Sequence, residues 1–308
     1  MSAGVQTGDG AVGTGAGTTR GWRGVREWMV AGYLDRWGVV ALLTLGAAVF
    51  SPPRGAFLLS QVVAGLLAVL LPWVGRDWRA WAVLLAVTAP GVLSHPLVDL
   101  DNHHFLHLYW LLALTVACLA RDPAWTLGRA GRLMIGWLFL FATVWKLLAP
   151  DFADGSFLAY LLSIDRNLTR VPIVLQWQDE DLPRDNRRAM GAMRADPLAE
   201  VAPVTLEVAP AVERAARPLS LLTLVLEAAV ALTFLLPLRG AWTRWREVTL
   251  VAFVIVTYPS LPVLSFAALL LAMSLAGSTL PRPAGEYLHL AALAVVWIAA
   301  EALRAVVG

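Results

Sequence analysis

A single lysine among 24 lysines and arginines is the first chemically informative feature of this sequence. Lys146 stands in Phe139 to Leu148 (FLFATVWKLL), a run that is apolar apart from Thr143 and the lysine itself. Desolvation disfavours an ammonium, and enzymes obtain a lysine base near neutral pH in this way. Snorkelling of the amine to a nearby interface is the plainer account. Every other basic residue is arginine, however, and arginine would snorkel equally well. Glu227 lies in a similar apolar run, Leu222 to Val230. Ionisable residues inside such runs are costly and mark functional sites by default. Glu227 reads as a proton carrier or pocket wall, or else as a protonated acid bonded to a neighbouring helix.

A second cluster opens another apolar stretch: Asp99-Leu100-Asp101-Asn102-His103-His104-Phe105-Leu106-His107. On a helix His103 and His107 share a face, as do His104 and His107. The spacing invites a metal, but no glutamate of an H-E-x-x-H pattern accompanies it, and no metal is expected. The expected roles are hydrogen bonding and proton exchange, with Asp101 suited to capping the helix start. His289 and Tyr258 are further candidates for the wall of a polar pocket. Cys118 is the chain's one cysteine, so neither an internal disulfide nor a thiolate metal site is available.

The elements that position these residues follow from composition. Of 308 residues 58% are apolar and 15% charged, and the mean hydropathy is +0.67. Soluble domains hold about 45–50% apolar and about 25% charged residues. A soluble enzyme, a disordered chain and a disulfide-stapled secreted module are thereby excluded. A formal charge of +2 without a basic run gives no footing for nucleic acid. The fold class is all-α: a polytopic transmembrane helical bundle of about eight spans with a long extracytoplasmic loop.

Residues 1–20 read as a disordered tail and 21–35 as an amphipathic helix lying in the headgroup plane. Transmembrane helices one to five fill 36–149, and helices six to eight fill 218–308. The expected spans lie near 36–50, 56–74, 79–94, 103–120, 131–149, 218–237, 247–275 and 285–304. The seventh is too long for one straight pass and contains Tyr258-Pro259-Ser260-Leu261-Pro262. A kinked helix and two half-helices both fit it. With the N-terminus inside, the inner segments collect most arginines, and the short outer loops hold Arg54 and Arg282. Both termini are then cytoplasmic, in a bacterial cytoplasmic membrane. His103, His104, His107, Lys146 and His289 fall in the outer parts of their spans, with Glu227 near the midplane. A polar pocket opening outward is expected.

The loop 150–217 is long for a connector. Amphipathic stretches near 157–162, 171–177 and 201–216 suggest helices lying on the outer surface, with 178–197 expected to be disordered. Such a loop caps a site or receives a peptide or protein partner.

Asp101-Asn102-His103-His104-Phe105-Leu106 at the start of a span resembles the Asn-His helix start of the HTTM (horizontally transferred transmembrane) group, to which the vitamin K-dependent gamma-carboxylase is related. Arg132-Leu133-Met134-Ile135-Gly136-Trp137, Lys146-Leu147 and Pro150-Asp151-Phe152-Ala153-Asp154-Gly155 are similar to that family's lysine helix and the Asp-Trp-x-x-Gly-like stretch after it. Phe152 stands where tryptophan is usual. Glu227 also fits the acid found there. The lysine-bearing helix is similar to that of the DoxX-like membrane proteins as well.

The resemblance covers about 95–275. It implies that Lys146 is the base that deprotonates a lipid hydroquinone, with His103 as its partner. The cofactor would be reduced vitamin K or menaquinol, and the family reaction ends in carboxylation, a lyase activity. The family's large C-terminal region has no counterpart before Gly308. Quinol-linked chemistry on a peptide or small substrate is therefore the safer expectation. Asp101, Asn102, His104, His107, Glu227, Tyr258 and His289 are the expected pocket residues, and membrane lipid and a lipid quinone the expected partners. The rival is a transporter or a partner-binding subunit, in which Lys146 and Glu227 would serve as a coupling pair or a structural contact. The inner half of the expected spans offers almost no ionisable residue to continue a polar path, which favours an enzyme.

Overall fold

The computed structural model describes residues 33–50, 55–94, 102–195, 206–261 and 263–307. The tail expected over 1–20, nearly all of the interfacial helix over 21–35, and Asp101 lie outside the described residues. Every regular element among the described residues is helical, and nine helices form the bundle. They are α1 (Arg36–Val49), α2 (Gly55–Val74), α3 (Trp78–Leu93), α4 (Asn102–Leu119) and α5 (Pro123–Leu148), then α10 (Pro210–Leu235), α11 (Arg244–Thr257), α12 (Leu264–Ala276) and α13 (Ala284–Val307). Between α5 and α10 lie four shorter helices: α6 (Pro150–Ala153), α7 (Ser156–Ile164), α8 (Arg170–Val174) and α9 (Asp181–Ala195). Helices α2, α5, α10 and α13 are long and apolar enough to cross a membrane.

Aspartates set three of the helix starts. Asp35, Asp77 and Asp122 accept from the backbone N–H of Gly38, Arg79 and Trp125, capping α1, α3 and α5. A carboxylate there satisfies an orphan donor and complements the positive end of the helix. All three caps lie at one end of the bundle. The indoles of Trp37 and Trp81 both donate to the Gly75 carbonyl there, fixing the end of α2 against the starts of α1 and α3. Most arginines of the bundle helices and their short turns gather at this basic end, and α6 to α9, which carry arginines of their own, cover the opposite, cap end.

Helix α12 is the hub, with nearly every residue from Ser265 to Leu275 buried. Its sequence shows no polar face because it has no exposed face to mark. Close approach to α5 requires glycine: a Cβ on Gly131 would come within 2.5 Å of the Met273 carbonyl oxygen, which belongs to the backbone of α12. Small residues at such crossings let apolar helices pack backbone to backbone.

The stretch expected as one seventh span is two helices that double back. Thr243 and Thr279 share a hydroxyl hydrogen bond of 3.0 Å, and the Thr279 amide donates to Glu247 Oε1 at 2.8 Å. The start of α11 and the segment after α12 therefore meet at the basic end, and the residues from Tyr258 to Leu261 turn at the cap end. The chain makes a complete reversal here rather than a kink. As a result α13 starts beside the start of α1: Arg36 donates to Glu286, to the Ser278 carbonyl and to the Leu280 carbonyl. The start of α1 and the finish of α13 lie at opposite ends of the bundle. His289 is at the basic end rather than beside the other histidines. Arg282, an outlier under the expected topology, joins the other arginines.

Within the cap, α9 fills most of the stretch expected to be disordered. Asn186 of α9 donates to the carbonyls of Ser163 and Glu207 and accepts from the Glu207 amide. Leu162, Leu168 and Val212 form a small apolar cluster that also takes Leu261 from the α11–α12 turn. The cap thus rests on the reversal itself. Helix α10 begins at Pro210, before the loop end expected at 217.

Candidate functional site

Helix α5 ends because Pro150 cannot continue it: Ala149 is extended and Pro150 opens α6. Lys146 is thereby held in the last turn of α5. Antiparallel α10 brings Glu227 to the same level, and the Lys146 ammonium is bonded to Glu227 Oε1. The lysine side chain is 24% exposed and the glutamate 8%. The amine also lies 5.2 Å from the ring centre of Phe152, the residue standing where the resemblance expects tryptophan. A cation over an aromatic face in a desolvated setting is favourable. Glu227 Oε2 is buried and has no hydrogen-bond partner among the described residues.

Tyr258, buried at the end of α11, lies within the electrostatic reach of Glu227. Its ring meets Phe266 edge-on at 5.8 Å, and Phe266 in turn stacks on His103 at 5.7 Å. An aromatic row therefore leads from the ion pair towards the histidines.

His103 and His104 are in ring contact at 4.2 Å, and His104 stacks on Phe57 at 5.3 Å. With His107 they border a hollow of about 10 Å³ closed by Ala47, Ser265 and Leu269. A space of that size matches one water molecule. His107 Nε2 is buried and has no hydrogen-bond partner among the described residues. No group of three or more His, Cys, Asp or Glu side chains among the described residues is arranged to hold a metal. The helical spacing read from the sequence does gather the three rings, but around a void smaller than any quinone ring.

The structure thus brings Lys146 to Glu227 and Phe152, and His103 to His104 and Phe266. Beside the functional partnership of Lys146 with His103 that the resemblance implies, the structure has a lysine–carboxylate pair with an aromatic row leading towards the imidazole. Asn102 opens α4. His289 is fully buried, with Nδ1 2.7 Å from the Gly285 carbonyl and Nε2 3.1 Å from the Ser274 hydroxyl. A carbonyl only accepts, so Nδ1 carries the proton and the ring is a satisfied core histidine locking α13 to α12.

Sequence reasoning reached a Lys146–Glu227 contact only in the rival reading, as a coupling pair or a structural contact, and not as the centre of the catalytic site. The signal was present: a lone lysine and a lone deep glutamate, each in an apolar helix, are each other's natural partners. It also missed buried Glu247, whose role depends on the α11–α12 reversal. The chain matches no protein-family model, no curated protein and no solved structure.

Proposed function

We propose that this protein is an integral membrane enzyme in which Lys146 and Glu227 form the proton-exchanging centre for a lipid hydroquinone, acting on a peptide or small substrate at the cap. In this reading the nine bundle helices cross the membrane, and the basic end faces the cytoplasm because it carries most arginines of the bundle helices and short turns, the long cap being outside such a count. The cap is then extracytoplasmic, as is the finish of α13.

The observation that carries the reading is the bonding of the chain's one lysine to a buried carboxylate at the cap end. Side chains suited to such a cofactor are at hand. Phe152 and Tyr258 offer aromatic faces, and Glu227 Oε2 is a buried acceptor with no partner among the described residues. When bound, a lipid hydroquinone supplies an acidic O–H and two reducing electrons. The pair is a base when it exists as amine and carboxylate. Taking up one proton gives the ammonium–carboxylate arrangement, held in place by Coulomb attraction in a medium of low dielectric constant. Phe152 supplies an aromatic ring beside the amine. His103, reached through Phe266 and Tyr258, is a positioning residue in this scheme.

The test is to purify the protein in native lipid, identify any co-purifying quinone, and measure turnover of added menaquinol. Wild type is expected to retain quinone and turn over quinol, and Lys146→Ala to lose turnover. Absence of quinone and of turnover in the wild type overturns the proposal.

A second reading, a proton-coupled transporter, draws on the basic end. Glu247 and Glu286 are buried there, and each has one carboxylate oxygen with no partner among the described residues. The basic half of the bundle is therefore richer in ionisable groups than the sequence suggested. Proton flux into proteoliposomes that is independent of quinone and abolished by Glu227→Gln would select this reading over the first.

A further inference from the structure

We propose that the cleft at the basic end binds a phosphate group carried on glycerol, the headgroup chemistry of an anionic phospholipid. The cleft has a volume of about 270 Å³ and lies where α1, the α4–α5 turn and the α12–α13 segment meet. Arg36, Arg76 and Arg282 border it, and Trp37 and Leu127 contribute apolar wall.

A donor inventory shows what the cleft can take. A guanidinium has five N–H groups. Arg36 spends three, one each on Glu286, the Ser278 carbonyl and the Leu280 carbonyl, so its remaining two are fixed in direction by those bonds. Arg76 gives one bond to Asp35 and leaves four N–H groups free for an incoming acceptor. Arg282 stands 3.7 Å from Glu286, an ion-pair contact too long to use a hydrogen bond fully. The side chains of Arg76 and Arg282 are 75% and 63% exposed.

The neighbouring carboxylates are already engaged. Asp35 serves Gly38 and Arg76, Glu286 serves Arg36 through Oε1 while its buried Oε2 has no partner among the described residues, and Asp122, also in the lining, caps α5 at Trp125. Formal charges of the three arginines and three acids cancel. Selectivity therefore comes from unspent guanidinium forks, which match the paired oxygens of a phosphate.

Depth supports a headgroup. Trp73, Trp78, Trp125, Trp242 and Trp245 are all exposed around this end, the position of an aromatic belt at a membrane–water boundary. Basic pockets between membrane helices on the side rich in arginine take anionic headgroups. The apolar wall of Trp37 and Leu127 suits the glycerol and the first carbons of an acyl chain. This site lies at the end of the bundle opposite Lys146, and the inference stands whether or not the quinol reading holds.

The test uses the full chain in nanodiscs of phosphatidylcholine with or without phosphatidylglycerol. Native mass spectrometry reads retained lipid. The chain's one thiol, Cys118, lines the cleft and reports occupancy through its rate of labelling by a small maleimide. Wild type is expected to retain phosphatidylglycerol over phosphatidylcholine, with slower Cys118 labelling when phosphatidylglycerol is present. The Arg76→Gln/Arg282→Gln double variant, altered at two exposed positions, is expected to keep the wild-type thermal midpoint and weaken retention about thirtyfold. Protection of Cys118 by glycerol 3-phosphate in detergent identifies a soluble phosphate ester as the source. Protection by phosphatidylglycerol alone identifies the lipid. Equal retention of the two lipids by wild type, or unchanged retention in the double variant, overturns the proposal.

Discussion

Arg36 and Glu286 are 250 positions apart in the chain and 3.0 Å apart in the fold. One opens the first helix of the bundle and the other the last, so those two helices point the same way. Glu286 is 3% exposed, and Arg36 also holds the carbonyls of Ser278 and Leu280. Removing one partner leaves an uncompensated charge in a poorly hydrated place. Glu286→Ala is expected to cost about 3–5 kcal/mol. Thermal unfolding in detergent checks this: an unchanged midpoint would show the pair to be idle.

The doubling back of α11 and α12 makes a topological prediction. Reporter domains fused after Arg239 and after Gly308 are expected on opposite sides of the membrane, since three described helices, α11 to α13, lie between them. Finding both reporters on one side contradicts the reversal after Tyr258.

The pair at the cap end predicts a pattern across variants. Lys146→Met leaves Glu227 buried without its cation and is expected to destabilise towards the low end of about 3–5 kcal/mol, because part of the lysine is exposed. Adding Glu227→Leu is expected to recover most of that loss, since two matched apolar groups replace a matched ion pair. Lys146→Arg is expected to keep the fold and lose turnover, as a guanidinium holds its proton too tightly to act as a base. A double-mutant cycle in unfolding, read beside quinol turnover, separates the structural from the chemical contribution.

Gly131→Ala tests the hub. The atom a new methyl would strike is the Met273 carbonyl oxygen, which cannot swing aside as a side-chain tip would. A loss of about 1–3 kcal/mol is expected. Gly191→Ala, where nothing lies within 4 Å of the added carbon, is the matched control and is expected to be neutral or slightly stabilising.

Asn186→Ala is expected to open the cap without unfolding the bundle. Its amide supplies hydrogen bonds to Ser163 and Glu207 that no neighbouring side chain replaces. Limited proteolysis between 165 and 209 should accelerate while the membrane-bound fragments stay intact. Cleavage at the wild-type rate would assign the order of the cap to its apolar cluster alone.

The helices were legible because apolar runs, prolines and capping aspartates are local signals. Asp122-Pro123 announces the start of α5 as plainly as Pro150 announces its end. Direction was less legible. Arg244 to Ala276 is one apolar stretch on hydropathy, and whether Pro259 and Pro262 kink it or fold it back depends on tertiary partners, here the tie between Thr243, Glu247 and Thr279. That single ambiguity moved His289 and the finish of α13 from one end of the bundle to the other. The site was legible in its members, Lys146, Glu227, Tyr258 and the histidines. Their grouping was not, because which face of α5 meets α10 is decided by packing of surfaces that are apolar all round. The ordered middle of the cap escaped detection for the converse reason: polar residues there are satisfied by backbone groups distant in sequence.

Helix α13 is clamped at its start by Arg36 and touches α8 of the cap. A stiff rod held at both faces works as a strut. Pushing on α8 must either bend the rod or shift its foot, where Glu286 stands beside Arg36 and Arg282. Events at one face are mechanically audible at the other.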